Sequence, residues 1–411
     1  MSTRTTGHYE TSIAGGESVR AFVPQPLPPQ PPLELSGKRL QLLEQATLAV
    51  GRLDSVSMLL PDPQLFLYAY VRREAVLSSQ IEGTQSSLSD LLLFEADEAP
   101  GVPLNDVQEV SNYVAALEHG MARLRAGFPL CNRLLCEMHE QLMRKGRGSD
   151  KQPGEFRRSQ NWIGGTRPAN AHFVPPPPPQ LAACMSALEV FLHANQSLHS
   201  ESEPNPAPEQ RHQPQSPAPV LPTLVRAALV HVQFETIHPF LDGNGRLGRL
   251  LIALLLHHEG LLSQPLLYLS LYFKQHRSTY YELLDRVRTQ GDWETWLTFF
   301  LEGVASTANA AVRTAQNLTQ HFAADIARIS DSGSAAVSHS PLRVLAGLRA
   351  KPVSSIKQLA ASSGLSYPSV AKALKSLEEA GVVHELTGRR RNRVFVYSHY
   401  LQQLNEGGEA L

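Results

Sequence analysis

The stretch His238-Pro-Phe-Leu-Asp242-Gly243-Asn244-Gly245-Arg246-Leu-Gly-Arg249 interrupts two strongly apolar segments with helical spacing, LVRAALVHVQFETIH before it and RLGRLLIALLLHHEG from Arg246 onward. Gly243 and Gly245 permit backbone conformations in which successive N–H groups turn inward, and the helix that follows adds the positive end of its dipole. That combination is an anion nest. Arg246 and Arg249 stand three apart on the first turn, so the spacing predicts two guanidinium groups directed at one polyphosphate. Asp242, at the mouth of the nest, is an oxygen ligand suited to magnesium. An imidazole, as at His238, can accept a proton from an attacking hydroxyl near neutral pH. Each residue alone has a plainer reading as turn former, helix cap or solvated cation. Six of them in one twelve-residue loop argue for a site.

Outward from this loop the chain reads as helix after helix. SGKRLQLLEQATLAVGRLDSV, PDPQLFLYAYVRREAVLSSQIEG, SLSDLLLFEA and NDVQEVSNYVAALEHGMARLRAG precede NRLLCEMHEQLMRKG, and PQLAACMSALEVFLHAN lies before the loop. After it come STYYELLDRVRTQ and a long segment from Trp293 to about residue 329. Between these helices, GEFRRSQNWIGGTRPANAHFVPPPPP loses helical periodicity and predicts a short β-hairpin ending in a polyproline turn.

Composition bounds the rest. The chain has 411 residues with 42% hydrophobic and 18% charged, length for two or three domains, and a net charge of −1. Fibrous and wholly disordered readings are excluded. Of the 30 prolines, 18 fall in three tracts, at 24–32, 175–179 and 204–222. The first belongs to a polar, extended arm over 1–36 and the third to an insertion at about 201–220 that reads as disordered. Three cysteines, Cys131, Cys136 and Cys184, show no CxxC spacing, and the first residues carry no apolar leader. A soluble protein of the cytoplasm, with no membrane segment, is the expectation.

The loop HPFLDGNGRLGR resembles, over its full length, the HxFx(D/E)GNGRxxR motif of Fic-domain proteins. The resemblance implies an all-α Fic core with a small β-hairpin flap, which transfers AMP from ATP to a Ser, Thr or Tyr hydroxyl of a target protein. It makes His238 the general base, Phe240 the buried anchor, and Asp242 the magnesium ligand. Gly243, Asn244 and Gly245 become the phosphate loop, with Arg246 and Arg249 on the outer phosphates. No GxxxxGK[ST] offers a P-loop alternative. Ser78-Ser-Gln-Ile-Glu82-Gly83 is similar to the family's inhibitory (S/T)xxxE(G/N) motif, which implies autoinhibition in cis by Glu82 against Arg249. The hairpin segment resembles the family's flap, placing Asn161, Trp162, Ile163 and Gly164 against nucleotide and target. Tyr280 is the candidate for packing on adenine, whereas Trp293, Trp296, Phe299 and Phe300 are assigned to the core. Removal of AMP is the alternative activity, and the motif leaves nucleotides other than ATP open.

Beyond a Ser/Gly-rich linker at 331–341, the sequence reads as helix, helix, turn, helix and two short strands joined by a basic loop. It resembles a winged helix-turn-helix domain over 342–405, with the recognition helix at 366–380 and the wing at 387–393. Ten Lys and Arg against three acids give residues 342–400 a charge of +7. Lys372, Lys375, Arg389, Arg390, Arg391 and Arg393 are the candidate DNA contacts. The remaining divisions are a helical region at 37–130 holding the inhibitory helix and the catalytic core at 131–330. A nucleotide-sensing, DNA-binding transcriptional regulator is the second function in view, and apolar helical faces are compatible with a homodimer.

Overall fold

The computed structural model describes residues 4–59, 63–96, 101–194, 221–331, 339–389 and 391–405. The insertion at 201–220, most of the linker and Arg390 lie outside the described residues. Chain contacts group into two compact units. One comprises Met1–Thr47, Ala115–Leu261 and His276–Gly303, the other Leu48–Val114, Leu262–Gln275 and Val304–Leu411.

The first unit is built around helices α7 (Thr223–Ile237) and α8 (Asn244–His258), which pack against each other. Every residue of α7 after Thr223 is buried, as expected for a helix apolar on all sides. Two of its polar side chains bond to groups outside the helix. Arg226 pairs with Glu259 at 2.6 Å and donates to the carbonyls of Phe191 and Leu192, and Gln233 donates to the carbonyl of Gln25. Around this pair stand α5 (Asn132–Leu142), α6 (Pro178–His193), α10 (Arg277–Gln290) and the first residues of α11 (Trp293–Asp331). Trp296 is wholly buried and donates its indole N–H to the carbonyl of Ala228, while Trp293, Phe299 and Phe300 are also buried, as the sequence predicts.

The predicted flap is present as one narrow antiparallel bridge, Ile163 with Phe173, closed by N–H···O bonds of 2.8 and 3.1 Å. A 3-10 turn, Pro168–Asn170, lies between the two.

The N-terminal segment differs from its reading as an extended arm. It forms an antiparallel hairpin, β1 (Gly7–Ala14) with β2 (Glu17–Pro24), in register from Gly7 opposite Pro24 to Ala14 opposite Glu17. The cause is local: Gly15 and Gly16 both take positive φ (58° and 81°), the pair of left-handed residues that a two-residue hairpin turn requires. Polar composition concealed strands whose outer face is solvated.

In the second unit, α1 (Gly37–Leu59) continues from the first, α2 (Pro63–Ile81) and α3 (Leu88–Glu95) follow, α4 (Leu104–Arg125) runs back into the first unit from Ala115, and α9 (Ser270–Gln275) packs on α2. Ser87 caps α3 in a reciprocal capping box with Asp90. The winged helix has helices α12 (Ser340–Ala350), α13 (Ile356–Ser363) and α14 (Tyr367–Glu379), then α15 (Ser398–Asn405). Its sheet has the order β3-β5-β4, from Val353–Ser355, Val394–Tyr397 and Val383–Glu385. Despite the linker composition that precedes it, this domain is not set apart. The Tyr397 hydroxyl donates to Asp325 on α11 at 2.6 Å, Phe322 packs on Tyr397 and Tyr400, and α12 and α15 pack on α2, the helix that carries Ser78.

Candidate active site

Helix α7 ends at His238, which adopts a left-handed conformation (φ 50°, ψ 60°) and donates its amide to the carbonyl of Phe234 at 2.9 Å. For a non-glycine residue this conformation costs about 1–2 kcal/mol and persists only where neighbours impose it. Two neighbours do so. Arg157 donates from Nε to the His238 carbonyl at 3.0 Å and Asn161 from Nδ2 to the same oxygen at 3.3 Å. Asn161 also reaches the Phe240 carbonyl at 2.9 Å, which ties the flap to the loop.

Asn244 closes the loop on itself. Its Oδ1 accepts the Phe240 amide and its Nδ2 donates to the Phe240 carbonyl, both at 2.9 Å. Gly243 then starts α8 at φ 77°, and a Cβ there would lie 2.9 Å from Met143 Sδ. Only glycine fits both the dihedral and the space. The first-turn amides of Asn244 and Gly245 face out of the helix start, where no intrahelical acceptor exists.

Asp242 accepts the Gly243 amide on Oδ1 at 2.6 Å, with Arg246 Nη2 at 3.6 Å from the same oxygen. Arg246 and Arg249 are 2% and 5% exposed, and Arg246 lies against Met143 Sδ at 3.7 Å. Arg246 carries its charge beside Asp242 from within the protein, where water screens it least.

Two residues that the sequence did not single out hold this site. His139 stacks on Phe240, with ring centroids 3.8 Å apart. Its Nδ1 accepts the Gly154 amide at 2.9 Å, so the neutral ring carries its proton on Nε2 and donates to the Asp242 carbonyl at 3.0 Å. Burial pushes its pKa down to about 4. Arg157 also donates to Pro176, Ser159 and Ile237 carbonyls, and its amide donates to Pro239. Burial lowers its pKa to about 10, which leaves it charged at neutrality. A lone histidine on an amphipathic helix and one arginine among many carry no distinguishing pattern in sequence.

Tyr280, the candidate for packing on adenine, lies in the core of the first unit. It is 1% exposed, and its hydroxyl donates to Nε2 of the buried His231 at 2.8 Å, while Nδ1 of that ring donates to the Gly248 carbonyl at 3.0 Å. Burial pushes His231 down to about 3. On α10 the exposed aromatic ring is instead its neighbour Tyr281. Of the flap residues, Asn161 is buried, Trp162 and Gly164 are exposed, and Ile163 is half-buried.

In the second unit, Ser78 is buried inside α2 and Glu82 is exposed just beyond its end, with the Glu82 amide donating to the Ser79 carbonyl at 3.0 Å. In the winged helix, Lys372, Lys375, Arg389 and Arg391 are exposed. Arg393 lies over the Phe395 ring and 3.7 Å from Glu378, a packed position rather than an open one. Among the described residues no helix is long and apolar enough to cross a membrane.

The helix start, the buried arginines and the pinned histidine gather in one place in a predominantly helical protein. Comparison with known families gives it a narrower place. The model of the Fic/DOC family N-terminal region matches residues 40–122, that of the Fic/DOC family residues 129–256, and that of a winged helix-turn-helix DNA-binding domain residues 339–384. The chain belongs to the Fic/DOC family and carries a C-terminal winged helix.

Its similar relatives include proteins named protein adenylyltransferase Fic. The one from Culex quinquefasciatus is 30% identical over 226 residues, 54% of this chain and 38% of that protein. The one from Drosophila grimshawi is 28% identical over 235 residues, 57% of this chain and 41% of that protein. The chain thus spans less than half the length of these relatives. A crystal structure of a Fic family protein from Desulfovibrio desulfuricans superposes with a TM-score of 0.54 at 20% identity, over 90% of this chain and 98% of the other, and shares the fold.

Proposed function

We propose that this chain transfers AMP from magnesium-bound ATP to a Ser, Thr or Tyr hydroxyl of a protein, and that Glu82 restrains the reaction. The observation that carries the reading is the left-handed His238, pinned beside the nest that begins α8. The acceptor oxygen forms a bond to the α-phosphorus as the bond from that phosphorus to the bridging oxygen breaks. Pyrophosphate leaves with the electron pair, and the acceptor proton passes to the His238 ring. The amides of Gly245 and Asn244, with Arg246 and Arg249, hold the phosphates and stabilise the charge that develops.

Magnesium fits Asp242. The side chain is partly exposed, and no group of three or more His, Cys, Asp or Glu among the described residues could hold a metal. One carboxylate, with phosphate and water as the other ligands, is the usual magnesium arrangement. Bound there, the ion would neutralise phosphate charge. Glu82 would act by competing with the outer phosphate for Arg249, as the motif at 78–83 suggests.

The test uses α-labelled ATP and a cell extract. Glu82→Gly should label protein more strongly than the wild type, and His238→Ala in that background should lower labelling by at least about a hundredfold, the usual contribution of a general base. Equal labelling by the two variants would reject the assignment.

A second reading concerns the winged helix, for which the exposed Lys372, Lys375, Arg389 and Arg391 favour duplex DNA as the ligand. A gel shift should weaken steeply with salt and be lost when Arg389, Arg390 and Arg391 become Ala. A shift unchanged by the triple substitution would remove the wing from the interface.

A further inference from the structure

We infer that the N-terminal hairpin is a clamp that fixes the flap and leaves it one edge for an extended acceptor polypeptide. The acceptor part rests on the transferase reading, whereas the clamp stands on contacts alone. Phe173 spends its backbone N–H and C=O on Ile163. By strand alternation Val174 faces the other way, and its carbonyl accepts the Phe22 amide of β2 at 2.9 Å. The segment at 173–174 is therefore filled on both sides, and the order across this patch is β1, β2, Val174 and Ile163.

Side chains reinforce the seam. Phe22 packs between Tyr9 and Phe173, with centroid distances of 5.2 and 6.0 Å. Glu17 accepts from Arg167 at 3.0 Å and from the Ala169 amide at 3.3 Å, and Ser12 donates to Gln160 at 3.2 Å. The root of the hairpin is fastened as well. Arg4 pairs with both oxygens of Glu294 at 2.5 and 2.6 Å, and Thr6 donates to the Arg288 carbonyl at 2.6 Å.

With β2 on one side of the flap, the edge for strand addition is the one along Trp162 and Gly164, whose backbone groups alternate away from Phe173. Asn161, one residue earlier, is bonded to the carbonyls of His238 and Phe240. A polypeptide paired along that edge is thereby placed in register with the base. A residue at the far end of the chain in sequence becomes a positioning residue for the acceptor.

The experiment compares Phe22→Pro, which removes the amide, with Phe22→Leu, which keeps it, both in the Glu82→Gly background. Amide hydrogen exchange at Ile163 and Phe173 should quicken roughly tenfold or more in Phe22→Pro and stay at the parent rate in Phe22→Leu. Labelling of a cell extract from α-labelled ATP should fall by about tenfold or more in Phe22→Pro alone, while AMP release from ATP in buffer, where water is the acceptor, should stay unchanged. If Phe22→Pro does not fold, Glu17→Ala loosens the same seam and should move both readouts the same way. Unchanged exchange overturns the clamp, and an equal loss of both reactions overturns its role towards the acceptor. A parent chain that labels nothing rejects the transferase reading and the acceptor edge with it, while the exchange rates still decide the clamp.

Discussion

His139 shows how one buried imidazole can set a site without touching the reacting atoms. Its two ring nitrogens join the Gly154 amide to the Asp242 carbonyl, and its plane covers Phe240. The bonding needs a neutral ring, and burial holds the pKa at about 4, below the ordinary 6.5. As pH falls through 6.5 the unfolded chain takes up the proton and the folded chain does not, so stability is full above 6.5 and declines towards pH 4. One such ring is worth roughly 2 kcal/mol between pH 7 and pH 5. Urea midpoints at the two values should reveal the loss, and His139→Gln should lessen the slope by about one proton. An identical slope would mean that the ring is protonated in the fold. None of this was legible in NRLLCEMHEQLMRKG, because the partners that distinguish His139 are brought to it from residues 154, 240 and 242.

Among elements, the start of α8 was the most legible, since a glycine-flanked break between two apolar helices has few other readings. The expected helix from Arg246 begins two residues earlier, at Asn244, because the Asn244 side chain closes the preceding turn. Gly243→Ala would place a Cβ 2.9 Å from Met143 Sδ at a φ of 77°. It should cost about 1–2 kcal/mol of stability and weaken ATP binding, which thermal melts with and without nucleotide would separate. Unaltered binding would detach the nest from the phosphates. Tyr280 and Tyr281 lie about 100° apart around α10, and the pairing with His231 holds the first in the core while the second is exposed. The hairpin at 7–24 escaped for a related reason. Its Gly15-Gly16 turn was visible, but its partner strand edge at Val174 lies 152 residues from Phe22.

For the whole molecule, the net charge of −1 divides into +7 over residues 342–400 and −8 over the rest. A basic C-terminal domain is joined to a mildly acidic body, a division that a near-neutral total conceals. The sequence placed a boundary at the Ser/Gly-rich linker. In the fold, the Tyr397 and Asp325 bond, the ring contacts of Phe322 and the packing of α12 and α15 on α2 draw the winged helix into one compact unit with residues 48–114. Linker composition reports the chain's local freedom and says nothing of the surfaces it joins. In the transfer we propose, AMP and not phosphate passes to a protein hydroxyl beside His238. Incubating Glu82→Gly with an extract and ATP labelled at either the α or the γ position tests it directly. Label from the α position should remain on protein through denaturation and be absent with His238→Ala, and γ label should leave with pyrophosphate. Protein labelled from the γ position alone would mean that phosphate, not AMP, is transferred.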